Sequence, residues 1–215
     1  MGKSIYIVAL IATIAIFAVT FSVVKGFEDA RLSQINEEIR QITLENELDK
    51  LYSEYYSSDT NNYCYFLNES ISSSVERLEK LDYRLNAYRD SMISTDYAFI
   101  KKNFLITNMI MLSRVQRAIT DCNLEITPII YFYAEDKSCE LECGAIANQL
   151  ELIKQDCNSV WVFAFPYNWS EAKFTSILEK QYNVLKPGTL IINGEKLENL
   201  QQKEVLEEKI SCKSN

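Results

Sequence analysis

The chain has 215 residues, a net charge of −8 and no histidine. An acidic chain without a basic stripe is not built to track phosphates, so nucleic acid is not an expected partner. Without histidine, Ser–His and Cys–His nucleophiles are excluded, and a copper or zinc site would have to use thiolates and carboxylates alone.

SIYIVALIATIAIFAVTFSVV, Ser4 to Val24, is a run of 21 uncharged residues. As a helix it is long enough to cross a hydrocarbon core of about 30 Å. No convincing small-residue cleavage site precedes Lys25, so residues 1–25 read as an uncleaved transmembrane anchor. Lys3 on one side and Lys25 with Arg31 on the other leave the positive-inside count nearly even. The cysteines decide the orientation. All six (Cys64, Cys122, Cys139, Cys143, Cys157 and Cys212) lie beyond the anchor, an even number that fits an oxidising space. The sequons Asn68-Glu-Ser70 and Asn168-Trp-Ser170 agree. The expectation is a single-pass membrane protein with its soluble part outside the cytoplasm.

Residues 26–122 read as a helical bundle or stalk. From Glu28 to about Tyr56, Leu32, Ile35, Ile39 and Ile42 form one apolar stripe and Leu44, Leu48, Leu51 and Tyr55 a second. SSDTNNY, Ser57 to Tyr63, reads as a turn-rich break. A second helix begins near Asn68, and Ser94, Thr95 and Asp96 offer N-caps for a third, Tyr97 to Asp121. A straight helix from Glu69 to Asp121 would run about 78 Å and hold Cys64 and Cys122 far apart. A turn near Ile93 to Asp96 would instead bring both cysteines to one end, and a Cys64–Cys122 disulfide is expected on that ground.

After Cys122 the texture changes. Ile126 to Ala134 reads as a buried strand. CELECGAIANQLELIKQDC reads as a helix whose inner stripe is Cys143, Ile146, Leu150, Ile153 and Cys157. A strand from Val160 to Phe165, a helix opened by Ser170, a hairpin on Asn193-Gly194 and a closing helix complete the chain. A strand–helix–strand start demands a parallel pair with a right-handed crossover, and the hairpin must add antiparallel strands. Cys139 and Cys143 stand where the first strand hands over to its helix. Taken alone, the pair fits a redox couple, a structural staple or a thiolate metal site.

This β-α-β-α-β-β-α order over residues 123–215, with a cysteine pair at the tip of the first strand and a Thr189-Leu190-Ile191-Ile192-Asn193-Gly194 hairpin, resembles the thioredoxin-like family. The resemblance implies an exposed, attacking Cys139 and a buried, resolving Cys143. It also implies a substrate-binding loop at Gly188 and Thr189, with Gly188 where the family carries its cis-proline. Three residues separate the cysteines where the family has two, and Ser138 replaces its tryptophan. Relatives with this spacing that handle copper add a histidine, so no metal is expected here. In such a fold the first and last helices of the domain lie on one sheet face, which would join Cys157 to Cys212.

Four residues apart in a regular helix, Cys139 and Cys143 would have Cα atoms about 6.2 Å apart, within disulfide reach. The helix N-terminus favours a thiolate at Cys139, while Glu135, Asp136, Glu140 and Glu142 oppose it against Lys137 alone. With only five glycines and no phosphate loop, nothing else points to catalysis. The leading expectation is a membrane-anchored thiol–disulfide oxidoreductase without cofactor or metal, acting on cysteine-containing envelope or secreted proteins. The alternative is a non-catalytic thioredoxin-like binding or assembly module, with Cys64, Cys122, Cys157 and Cys212 in structural disulfides. The helices are also a candidate surface for self-association.

Overall fold

A computed structural model describes residues 10–27, scattered positions between 37 and 54, and residues 60–89, 94–170 and 173–210. The chain divides into two compact units, Met1–Glu54 and Tyr55–Asn215. In the first, helix α1 (Leu10–Phe27) is long and apolar enough to cross a membrane and exposes its apolar side chains throughout. Its hydroxyls need no water. Thr20 Oγ1 donates to the Ile16 carbonyl and Ser22 Oγ to the Ala18 carbonyl, each at 2.8 Å, the in-helix bonding that lets such residues sit in hydrocarbon. The described positions between 37 and 54 are helical and exposed, with Glu37 and Arg40 paired at 2.9 Å. The rest of the helix expected over residues 28–56 lies outside the described residues.

In the second unit, helix α2 spans Thr60–Arg89 and helix α3 Ser94–Cys122. The polar residues Thr60 to Tyr63 open α2 rather than prolong a loop, so Cys64 lies inside its second turn. Thr and Asn are helix-opening residue types, and the chain uses them so. Cys64 is bonded to Cys122, the last residue of α3, with Cα atoms 5.6 Å apart. Further along, the buried Arg114 guanidinium donates to the Ser70 carbonyl and to Ser74 Oγ. These pairings, 64 with 122 and 70 and 74 with 114, make α2 and α3 antiparallel neighbours.

Strand β1 (Thr127–Tyr133), helix α4 (Glu140–Asp156), strand β2 (Val160–Pro166), helix α5 (Lys173–Gln181), strands β3 (Thr189–Ile192) and β4 (Glu195–Glu198) and helix α6 (Lys203–Ile210) follow. The sheet order is β2-β1-β3-β4. β1 and β2 run parallel, Thr127 opposite Val160 and Tyr133 opposite Pro166. β3 runs antiparallel to both β1 and β4, and the β3–β4 turn places Asn193 and Gly194 at φ 52° and 81°, as a tight primed turn requires.

Alternation along the central strand divides the core in two. Ile130 and Phe132 point to one face, where they join Phe163, Phe165 and Ile191 under α3 and α5. α2 packs on the outer side of α3 and contributes Leu67 and Ile71 to the same cluster. Ile129 and Tyr131 point to the other face, beneath Ile146, Leu150 and Ile153 of α4 and Leu206 and Ile210 of α6. Fully burying a side chain such as Phe132 or Ile146 contributes about 2 kcal/mol, so each face is held by many such terms. The described residues form a mixed α/β unit with helices on both sides of a four-stranded sheet. Cys157 is buried at the end of α4, and its expected partner Cys212 lies outside the described residues.

Candidate functional site

The tip of β1 is where the sheet stops and the polar chemistry begins. Asp136 closes the strand's exit by accepting the Ser138 backbone N–H at 2.9 Å, an Asx cap that starts a 3₁₀ turn over Lys137–Cys139. Hydrogen bonds from Ser138 hold the Asp136 carboxyl below the usual carboxylate range. The tight turn ends at Cys139, which becomes the N-cap of α4 with φ −130° and ψ 14°.

That local geometry sets the cysteine pair. Cys139 and Cys143 are disulfide-bonded with Cα atoms 5.2 Å apart, shorter than the spacing of a regular helix because Cys139 stands outside it. The separation lies well inside the range disulfides adopt, so the three-residue spacer closes without distorting α4. Cys139 is 6% exposed and Cys143 7%, so Cys139 is not the open thiol that the resemblance implies.

The cover over Cys139 comes from the loop before β3. A Cβ on Gly188 would lie 3.5 Å from Cys139 Sγ and 3.6 Å from Ile146 Cδ1. Gly188 has φ +77° and donates its N–H to the Phe132 carbonyl at 2.8 Å. No cis peptide bond occurs among the described residues. A proline cannot take this backbone conformation, so the loop meets the disulfide through glycine's missing side chain. Thr189 is fully buried and its hydroxyl donates to the Lys186 carbonyl at 2.8 Å, and Gly188 is buried beside it.

Beside the pair lies a cleft of ≈ 600 Å³ between the end of β1 and the first turns of α4. Tyr131, Tyr133, Glu135, Glu140, Cys143 and Gly144 border it. Tyr131, itself buried, donates its hydroxyl to the Cys143 carbonyl at 2.8 Å and so pins the first turn of α4 to the sheet. Burial, and after it the charge of Glu142, pushes its pKa up to about 12. Glu142 Oε1 accepts the Leu200 N–H at 3.1 Å, tying the same turn to the chain after β4. On the other side, Glu135 pairs with Lys101 of α3. The Lys101 side chain is 9% exposed and its ammonium sits 5.3 Å from the Trp169 ring centre and 5.9 Å from that of Tyr97. α3 therefore holds the loop that leads into the disulfide.

Cys139 and Cys143 are brought together, with Gly188 against Cys139. Lys101 and Tyr131 were not legible as site residues, nor was the bond from Leu200 to Glu142, because these roles depend on contacts between distant parts of the chain. The Asp136-x-Ser138 spacing is the one local signal that marks the turn. Among the described residues no group of three or more His, Cys, Asp or Glu is arranged to hold a metal ion, and none of the cysteines is free. No family model, curated protein or solved structure matches the chain.

Proposed function

We propose that residues 123–215 form a thioredoxin-like domain that exchanges disulfides through Cys139 and Cys143 while anchored to a membrane by α1, outside the cytoplasm. The carrying observation is the Cys139–Cys143 disulfide at a strand–helix junction beside an open cleft. The mixed sheet supports the fold reading, since its parallel β1–β2 pair and antiparallel β3–β4 hairpin follow the order on which the resemblance rests.

Magnitudes favour exchange over a staple. In the chain-entropy model a disulfide across four residues stabilises by about 2 kcal/mol, whereas one across 58 residues stabilises by about 4. The short bond adds least to the fold, and it lies at the site with the cleft. The head of α4 also stabilises a thiolate at Cys139, which helps the pair to open. Envelope or secreted proteins with cysteines are the substrates this reading calls for. The expected result is that the full chain in detergent oxidises a dithiol peptide or reduces its disulfide, and that Cys139→Ser with Cys143→Ser abolishes this. An unchanged rate in the double variant would refute it. The burial of both cysteines supports a second reading, a binding or assembly module in which the bond is inert.

A further inference from the structure

Both cysteines are nearly buried, so reactivity is decided by what covers each sulfur and by which one leaves more easily. Cys139 Sγ is covered by the Gly188 loop, where an added Cβ would also meet Ile146 and the Glu142 carboxyl carbon, at 3.6 and 3.7 Å. Cys143 borders the cleft and Cys139 does not. The residue after Cys143 widens the approach, because a Cβ on Gly144 would meet nothing within 4 Å. Leaving-group chemistry points the same way. Cys139 is the N-cap of the 17-residue helix α4. The helix dipole there favours the thiolate that departs, and a lower-pKa thiol leaves faster.

We infer that the incoming thiolate enters by the cleft and attacks Cys143, with Cys139 as the leaving group, the reverse of the order the resemblance implies. This rests on the exchange reading above. In the first step a substrate sulfur bonds to Cys143 Sγ, the Cys139–Cys143 bond breaks, and its electron pair leaves on Cys139 Sγ. In the second, the substrate's other thiolate attacks the substrate sulfur of that mixed disulfide and releases Cys143 as a thiolate. The two protons given up by the substrate dithiol are taken by the two protein thiolates through water. One substrate dithiol is oxidised to a disulfide and one protein disulfide is reduced to a dithiol. The cleft is bordered by Glu135, Asp136 and Glu140 against Lys137, and Glu135 is partly neutralised by Lys101. The substrate is therefore a polypeptide whose cysteine lies in a basic stretch, drawn in by the field of the cleft.

The test uses the oxidised full chain in detergent and two short synthetic peptides, each with one cysteine, flanked by lysines in one and by glutamates in the other. Excess peptide is added, the mixture is acid-quenched, and the modified cysteine is mapped. The lysine peptide is expected on Cys143, about tenfold over Cys139, and about tenfold faster than the glutamate peptide at low salt. The rate difference should shrink as salt is added. A peptide found chiefly on Cys139 overturns the inferred order and leaves exchange standing. Adducts on neither cysteine overturn the exchange reading itself, and equal rates for the two peptides overturn the basic-substrate assignment. As an independent readout, the single thiol of the Cys139→Ser chain should react with the lysine peptide's disulfide dimer faster than that of Cys143→Ser. The opposite ranking also overturns the order.

Discussion

Replacing Cys64 and Cys122 together, Cys64→Ala with Cys122→Ala, tests what holds α2 and α3 to each other. The bond closes a loop across 58 residues. Loop closure of that length removes about 14 cal/mol/K from the unfolded chain, or about 4 kcal/mol at 25 °C. The same expression gives about 2 kcal/mol for Cys139 and Cys143, which are four residues apart. For a unit of this size each kcal/mol moves the melting temperature by about 2–4 °C, so the first pair is expected to lower Tm by about 8–16 °C and the second by about half that. The protein carries its own probes. Its two tryptophans, Trp161 and Trp169, are both half-buried in the second unit, so their fluorescence reports the unfolding of this core. The loss should also be read from urea midpoints at constant m-value, to separate stability from a change in the unfolded ensemble. A Tm loss for Cys64→Ala/Cys122→Ala equal to or smaller than that for Cys139→Ala/Cys143→Ala would show that loop length does not set these stabilities.

Three further predictions concern the site's supports. Asp136→Ala should lower the urea midpoint by removing the cap on Ser138, whereas Asp136→Asn should lower it far less; equal losses would contradict the cap. Glu135→Gln should destabilise more than Lys101→Met, by about 3 against about 1–2 kcal/mol. The reason is that the Lys101 side chain is 9% exposed and cannot hydrate its charge, while that of Glu135 is 38% exposed and can; equal losses would contradict the burial argument. Tyr131 titrates from 10 in the unfolded chain to about 12 when folded, so between those values the unfolded state has lost more protons than the native one. Stability should be unaffected by this group below pH 10 and should fall as pH rises from 10 through about 12. Tyr131→Phe should remove that part of the slope in alkaline unfolding curves.

Much of the unit was legible in the sequence for a plain physical reason. β1, β2 and β3 are short apolar runs bounded by turn residues, and α4 carries its buried residues at alternating spacings of three and four. Asn193-Gly194 announces its turn because few other pairs accept two positive φ values. The start of α2 was not legible, since Thr60, Asn61 and Asn62 are as common in turns as at helix openings. Nor was the cover on Cys139. Its neighbour Gly188 lies 49 positions along the chain, and only the pairing of β3 with β1 brings the two together. α3 hides most from a periodicity reading. Lys101, Asn108 and Arg114 interrupt its apolar pattern as exposed residues would, yet all three are buried. Lys101 meets Glu135, Asn108 Nδ2 donates to the Ala164 carbonyl at 3.1 Å, and Arg114 reaches α2. A polar residue declares its partner only when the partner is in place.

The reduction potential of the Cys139–Cys143 pair separates an exchanging bond from an inert one. It should be measured on the full chain in glutathione or dithiothreitol buffers, with the two thiols quantified by alkylation and peptide mapping so that Cys64–Cys122 is scored separately. A bond that closes a four-residue loop, adds about 2 kcal/mol to the fold and opens to a thiolate at the head of α4 should fall in the range of exchanging pairs, about −120 to −270 mV. A value below about −300 mV would mark a bond too stable to exchange and contradict the proposed function.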